Sequence, residues 1–271
     1  MASSGVAVVT GGGSGIGRAA GVALVAAGFG VVFAGRTEAT LAESVALARS
    51  VPAQSAPARS ASARASDAPP ASDEASYAVL DVTDRGAVDG LFDGVVAAHG
   101  RVDLLVNSAG IFGAANPVAG TTDDDWDAAI AVNVTGSFAA ARAAFRVMSA
   151  QEPRGGRIVN LGSVSAQVPR PHATPYTVSK HAITGLTRSL ALEGRDLGIA
   201  VGQLDVGNAA TAMTRGLQVG ALQPDGSRRA EPAFDVGHVA DTVVFLARLP
   251  LSVNVPFMTV MATAMPLLGR G

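Results

Sequence analysis

Val6-Ala7-Val8-Val9-Thr10-Gly11-Gly12-Gly13-Ser14-Gly15-Ile16-Gly17 decides how the rest of the chain is read. An apolar, β-branched run reads as a buried strand, the glycines after it allow a sharp turn, and from Gly15 the composition becomes helical. Residues without side chains let a backbone approach a pyrophosphate closely. The helix that follows presents free N–H groups and the positive end of its dipole. A glycine string alone is a weak signal. Its weight here comes from its surroundings, which run strand, loop, helix and then a second strand at 30–34. Ala19 to Gly35 is a run of 17 uncharged residues, at the lower edge of membrane-spanning length. Glycines at 21, 28, 30 and 35 interrupt it, and it reads as a buried helix followed by a buried strand.

Outward from that loop, strand and helix alternate. Strand-like runs fall at 5–9, 30–34, 77–80, 102–106, 156–161, 198–204 and 256–261, with helical stretches at 15–28, 38–49, 84–98, 123–148, 174–195 and 236–248. Short apolar strands without polar alternation predict a parallel sheet covered on both faces. The expected architecture is a single-domain, Rossmann-like, doubly wound α/β fold of about seven strands. One segment fits no element. Of the 27 residues from Ser50 to Ser76, 20 are Ala, Ser or Pro, too few large apolar groups to bury a core. Residues 50–76 are therefore expected to be a flexible surface insertion, leaving the amino-terminal edge of the sheet, whereas ligands of such folds bind beyond the carboxyl ends.

Composition narrows the function classes. The 271 residues are 48% hydrophobic and 15% charged, with a net charge of −2. That gives no electrostatic case for nucleic acid or an anionic membrane as partner. With no cysteine, disulfides and thiolate chemistry are excluded. The histidines at 99, 172, 181 and 238 have no partner at metal-ligand spacing, so no metal site is expected. Met1-Ala2-Ser3-Ser4 runs into the first strand without an export leader, and the expected location is cytoplasmic.

The chain has a single lysine, against nineteen arginines, and it stands four residues after one of two tyrosines, in Tyr176-Thr177-Val178-Ser179-Lys180. Residues four apart share a helix face. An ammonium beside a phenol is expected to lower its pKa from the free value of ~10 and make it a usable acid/base near neutrality. The alternative is an exposed, purely structural pair.

Companions stand where later strands end, at Asp81-Val82 and Asn107-Ser108-Ala109-Gly110, and Asn133, in the helical stretch 123–148, and Ser163, thirteen residues before Tyr176, complete the constellation. With the glycine loop, these motifs resemble the short-chain dehydrogenase/reductase (SDR) family from residue 5 to 215, apart from 50–76. The resemblance implies a catalytic set of Asn133, Ser163, Tyr176 and Lys180. Tyr176 would exchange a proton with the substrate oxygen and Ser163 would hydrogen-bond that oxygen. Lys180 would bond the nicotinamide ribose, and Asn133 would hold a water that links Lys180 to solvent. It also implies a dinucleotide site of Gly11, Gly13, Ser14, Gly15, Ile16, Gly17, Arg36, Thr37, Asp81, Val82, Asn107, Ala109, Gly110, Tyr176 and Lys180, completed by Val206, Gly207 and Thr211. Two departures stand out. Asp205-Val206-Gly207 lacks the family's usual Pro before glycine, and Phe257–Pro266 replaces its usual Val-Asp-Gly-Gly ending. A homotetramer or homodimer is the implied assembly.

Cofactor choice turns on Val32-Phe33-Ala34-Gly35-Arg36-Thr37. An acid usually accepts from the ribose hydroxyls of NAD at this point; Gly35 stands there instead. Arg36 suits a 2′-phosphate, so NADP(H) is expected, with NAD(H) the alternative. Phe112, residues 168–172 and residues 208–234, with Leu217, Val219, Leu222, Arg215, Arg228 and Arg229, are the expected walls of a small-molecule carbonyl or alcohol site. His172 reads as a loop residue. The rival reading is a dinucleotide-binding regulatory or scaffold protein without catalysis.

Overall fold

A computed structural model describes residues 5–52 and 75–267, with Leu217 and Gln218 described by backbone alone. Seven strands form one parallel sheet: β1 (Val6–Thr10), β2 (Gly30–Gly35), β3 (Ala75–Val79), β4 (Leu104–Asn107), β5 (Gly156–Leu161), β6 (Ile199–Gly207) and, after a two-residue hairpin β7 (Ala221–Leu222) and β8 (Arg228–Arg229), the edge strand β9 (Phe257–Met261). Their order is β3-β2-β1-β4-β5-β6-β9, so the chain reverses direction across the sheet at β1 and β4, where such folds open a crevice.

Successive residues of β1 serve opposite faces, as a strand requires. Ala7 and Val9 pack with α1 (Gly15–Ala26), α2 (Glu38–Ser50) and α8 (Gly237–Arg248) around Leu24, Phe33, Leu41 and Val243. Val6 and Val8 pack on the other face with α3 (Arg85–His99), α5 (Ser137–Ala150) and α6 (Thr174–Glu193) around Phe92, Met148, Ile158 and Leu190. Each such side chain contributes about 1.5–3 kcal/mol on leaving water. The uncharged 19–35 run is α1 and β2.

Boundaries shift by a few residues from those expected: the third strand starts at Ala75 and the fourth spans Leu104–Asn107. One difference is larger. The expected single helix 123–148 is α4 (Asp123–Ile130), opened by a Thr122 capping box, then one π turn (Ala131–Gly136), then α5. The wide turn coincides with two long-range demands. Asn133 is tied to the backbone of Ile111, and at Gly136 a Cβ would come within 2.6 Å of Val82. The short helix α7 (Arg215–Gly220) and the β7–β8 hairpin were not expected. Of the 50–76 insertion, 53–74 lie outside the described residues. Its anchors are described: Arg49 Nη2 donates to the Ala75 carbonyl at 2.8 Å, and Ala75 pairs with Val31 at the amino-terminal edge of the sheet.

Near the other edge a row of polar residues crosses the sheet. Thr10 pairs with Asn107, Asn107 with Asn160, and Asn160 with Gln203, on β1, β4, β5 and β6. All four are buried.

Candidate active site

The glycine loop is shaped by close approaches. Gly11 has φ +67°, and a Cβ on it would stand 3.0 Å from the Ala109 backbone; the left-handed conformation favours glycine. A Cβ on Gly17 would fall on the Gly11 carbonyl. Behind the loop, Ser44 Oγ donates to the Gly12 carbonyl at 2.9 Å and Arg18 Nη2 to that of Gly13 at 2.6 Å. The sequence reading missed both supports. Arg18 had a signal, being the only charge among the first 35 residues.

A cleft opens where the strands end, lined by Gly11, Gly13 and Ser14 of the loop, Arg36 and Thr37 after β2, Asp81 and Val82 after β3, and Ala109 and Gly110 after β4. Gly15, Ile16 and Gly17 form the first turn of α1, with Thr211 over its start, 3.6 Å from where a Cβ on Gly15 would be. Three expected contacts stand back from the cleft. Asn107 is buried and braces the sheet, its Nδ2 donating to the Ser137 carbonyl at 2.8 Å. Val206 packs in the core, and Gly207 lies against Met261, Met265 and Val164.

Arg36 is exposed and forms no hydrogen bond or ion pair with described residues. Glu38 is engaged by the Tyr77 hydroxyl at 2.8 Å. Asp81 Oδ1 accepts from the Thr83 N–H and hydroxyl at 2.9 and 2.8 Å, which hold its carboxyl below the usual range.

The four expected catalytic residues are brought together. Pro175 opens α6 at a position where its missing N–H costs nothing, and α6 carries Tyr176 and Lys180 on one face, the ammonium 5.7 Å from the phenol ring centroid. Lys180 is buried and donates to the Leu161 carbonyl at 2.8 Å. Burial holds its pKa down to about 8, against the opposing pull of Asp205. Ser163 starts a 3₁₀ turn after β5, its Oγ accepting from Ser165 N–H at 3.1 Å and near enough to the Tyr176 hydroxyl to pull its pKa downward. Asn133 Oδ1 accepts from Ile111 N–H at 2.8 Å, and Nδ2 donates to Ser179 Oγ at 3.0 Å. A Cβ on Gly110 would lie 3.3 Å from Asn133 Oδ1 and 4.0 Å from Lys180 Nζ, so both groups border one small space.

One expectation is corrected. The Tyr176 pKa is raised, not lowered: burial is the largest influence and outweighs the Ser163 hydrogen bond and the Arg170 charge, with Asp205 raising it further. Phe112 adds to that enclosure, its ring centroid 4.9 Å from that of Tyr176. A phenol of this kind holds its proton near neutrality and is a proton donor in waiting.

Beyond the tyrosine, two loops are locked together. Arg170 donates to Glu231 Oε2 at 2.7 Å and Asn208 Oδ1 at 2.8 Å; Asn208 and Gln223 also donate to Glu231. Burial pushes the Glu231 pKa up most strongly, but these hydrogen bonds and the Arg170 charge together hold it at about 2. Asn208 and His172 take φ +56° and +60°, a strained choice for side-chain-bearing residues. Arg215, Arg228 and Arg229 are exposed, Arg229 paired with Asp225 at 2.6 Å. A larger cavity, of about 630 Å³, lies away from these groups between α6 and β9, beside Arg188, Leu192 and Phe257.

The short chain dehydrogenase family model matches residues 50–220. A 3beta-hydroxysteroid dehydrogenase of Mediterraneibacter gnavus is 32% identical over 209 residues, covering 77% of this chain and 67% of that enzyme. Levodione reductase superposes with a TM-score of 0.80 at 26% identity, over 96% of this chain and 97% of that one. A metagenomic short-chain oxidoreductase in complex with NADP does so at 0.74 and 28% identity, over 97% and 98%.

Proposed function

Because the chain belongs to the short-chain dehydrogenase family, we propose that it is an NADP(H)-linked carbonyl reductase or alcohol dehydrogenase with Tyr176 as general acid/base. The observation that carries this reading is the convergence of Ser163, a proton-holding Tyr176 and a buried Lys180, the lysine next to Gly110 in the lining of a glycine-floored cleft. The cleft fits a dinucleotide: its loop leaves no room for side chains at Gly11 and Gly17, and α1 begins there with no side chain capping its N–H groups. Bound there, the nicotinamide supplies or accepts the hydride.

The rest of the reaction belongs to the protein. In reduction, Tyr176 gives its proton to the substrate oxygen while the Ser163 hydroxyl donates a hydrogen bond to the same oxygen. That bond strengthens as charge develops there, so it lowers the barrier. Lys180 resupplies the phenol, and Asn133 lies close enough to hold a water on the way to solvent. Oxidation runs these transfers backwards. Arg36, exposed with no bonded partner among the described residues, is assigned to the 2′-phosphate. The NADP-bound relative is consistent with that choice. The same reading places the protein in the cytoplasm. It also makes it a homodimer or homotetramer, for which half-exposed Phe257 on edge strand β9 is a suitable contact.

A panel of ketones, sugars, hydroxy acids and ring alcohols, followed at the nicotinamide absorbance with NADP(H) and with NAD(H), tests the proposal. Turnover with NADP(H) preferred is expected. Dinucleotide binding without turnover on any class would favour the non-catalytic reading instead.

A further inference from the structure

Asp205, two residues before the end of β6, is a carboxylate only 3% exposed, and it forms no ion pair among the described residues. Burying such a group costs much unless N–H donors surround it. Its oxygens accept three hydrogen bonds: Oδ1 from the Ser163 backbone at 2.9 Å and Gln203 Nε2 at 2.7 Å, Oδ2 from Gln167 Nε2 at 3.0 Å. The Gly162–Ser163 backbone passes directly over it, since a Cβ on Gly162 would collide with Oδ1. The polar row feeds the same point. Thr10 Oγ1 donates to Asn107, Asn107 to Asn160, Asn160 to Thr187 and Thr187 to Gln203, whose amide ends on Asp205.

We infer that Asp205 is a positioning residue for the reaction: its carboxylate fixes the Ser163 backbone and is the negative charge that balances Lys180. This rests on the roles proposed above for Ser163, Tyr176 and Lys180. The charged groups acting on Tyr176 are Arg170, from the loop before α6, and Asp205, from β6. On Lys180 the one charged influence is Asp205. A brace that merely finished β6 would need neither the charge nor the contact with Ser163.

Two variants separate the parts of the role. Asp205→Asn keeps an oxygen for Ser163 and Gln203, and the Gln167 amide can turn over to meet the new NH₂; only the charge is lost. Asp205→Ala removes the acceptor as well. Asp205→Asn is expected to lower kcat several-fold through the lost charge, and Asp205→Ala by about tenfold or more through the lost charge and acceptor together, in kcat rather than in cofactor KM. A second readout needs no substrate. In a Tyr77→Phe background Tyr176 is the only tyrosine left, and its phenolate absorbance can be followed against pH. Without the Asp205 charge, phenolate should appear at lower pH in Asp205→Asn than in its parent. An unchanged titration overturns the charge role. Wild-type kcat in Asp205→Ala, or an equal loss in Asp205→Asn, overturns the fixing of Ser163. If Asp205→Ala fails to fold, the kcat and titration of Asp205→Asn decide. If no substrate turns over, the enzyme reading has failed, yet the titration still tests Asp205.

Discussion

Lys180 is the one ammonium in a chain that elsewhere uses guanidinium, and its surroundings explain why no arginine would serve. It is buried, its Nζ 5.7 Å from the Tyr176 ring centroid, and spends a donor on the Leu161 carbonyl. A planar fork cannot occupy that point-sized space with the same aim. Lys180→Arg is therefore expected to leave the fold intact and lower kcat/KM more than tenfold, about 1.4 kcal/mol of transition-state stabilisation or more. Tyr176→Phe should lose at least as much, because the transferred proton is gone. Steady-state kinetics beside a thermal melt check both, and retained activity in Lys180→Arg would remove the assigned role. At this scale the sequence was a good guide to which residues meet and a poor one to their electrostatics. Spacing put Tyr176 and Lys180 on one face, but the direction of the Tyr176 pKa depends on burial by Phe112 and its neighbours, which no spacing reveals.

Among the elements, the end of β2 and the paired loops carry the sharpest expectations. A Cβ on Gly35 would meet Leu41 at 3.4 Å and the Gly13 nitrogen at 3.8 Å, both ordinary contacts, so a carboxylate can be placed there without moving the backbone. Arg36 should favour NADP(H) by roughly ten- to a hundredfold, the worth of a charge-assisted contact of ~1.5–3 kcal/mol. The Gly35→Asp, Arg36→Ile double variant should turn that preference toward NAD(H), as the ratio of kcat/KM for the two cofactors will show. The loop lock gives a pH signature. Glu231 has its folded pKa depressed to about 2, so its stabilisation is fully present above the ordinary carboxylate value and disappears as pH falls through about 2. Linkage makes this on the order of 3 kcal/mol. In urea melts, wild type should exceed Glu231→Gln near neutral pH, with the gap closing in strong acid. The strands and helices were legible because burial on both faces writes unbroken apolar runs. The π turn was not, since an i→i+5 turn leaves no mark in composition; here it accompanies contacts from Ile111 and Val82. Arg170 and Glu231, 61 residues apart, meet only in the folded chain.

For the molecule as a whole, the anchors of the 50–76 insertion lie at the sheet edge opposite the cleft. Replacing it with a short glycine–serine turn should change kcat by no more than a few-fold and leave the melting temperature almost unmoved, because closure cost varies slowly with loop length. Loss of dinucleotide binding would contradict that placement. The polar row has a consequence of another kind, for assembly of the sheet. Thr10, Asn107 and Asn160 bond to one another across β1, β4 and β5, and Asn160 meets Gln203 of β6 through Thr187 of α6, so the row is satisfied only when these elements are correctly aligned. A slip of one residue turns a strand's side chains to the opposite face and strands buried amides without partners, at about 1–3 kcal/mol each. Valines would tolerate such a slip far better than asparagines. The row thus acts as a proofreading device for folding, rejecting misaligned sheets that a purely oily interior would accept.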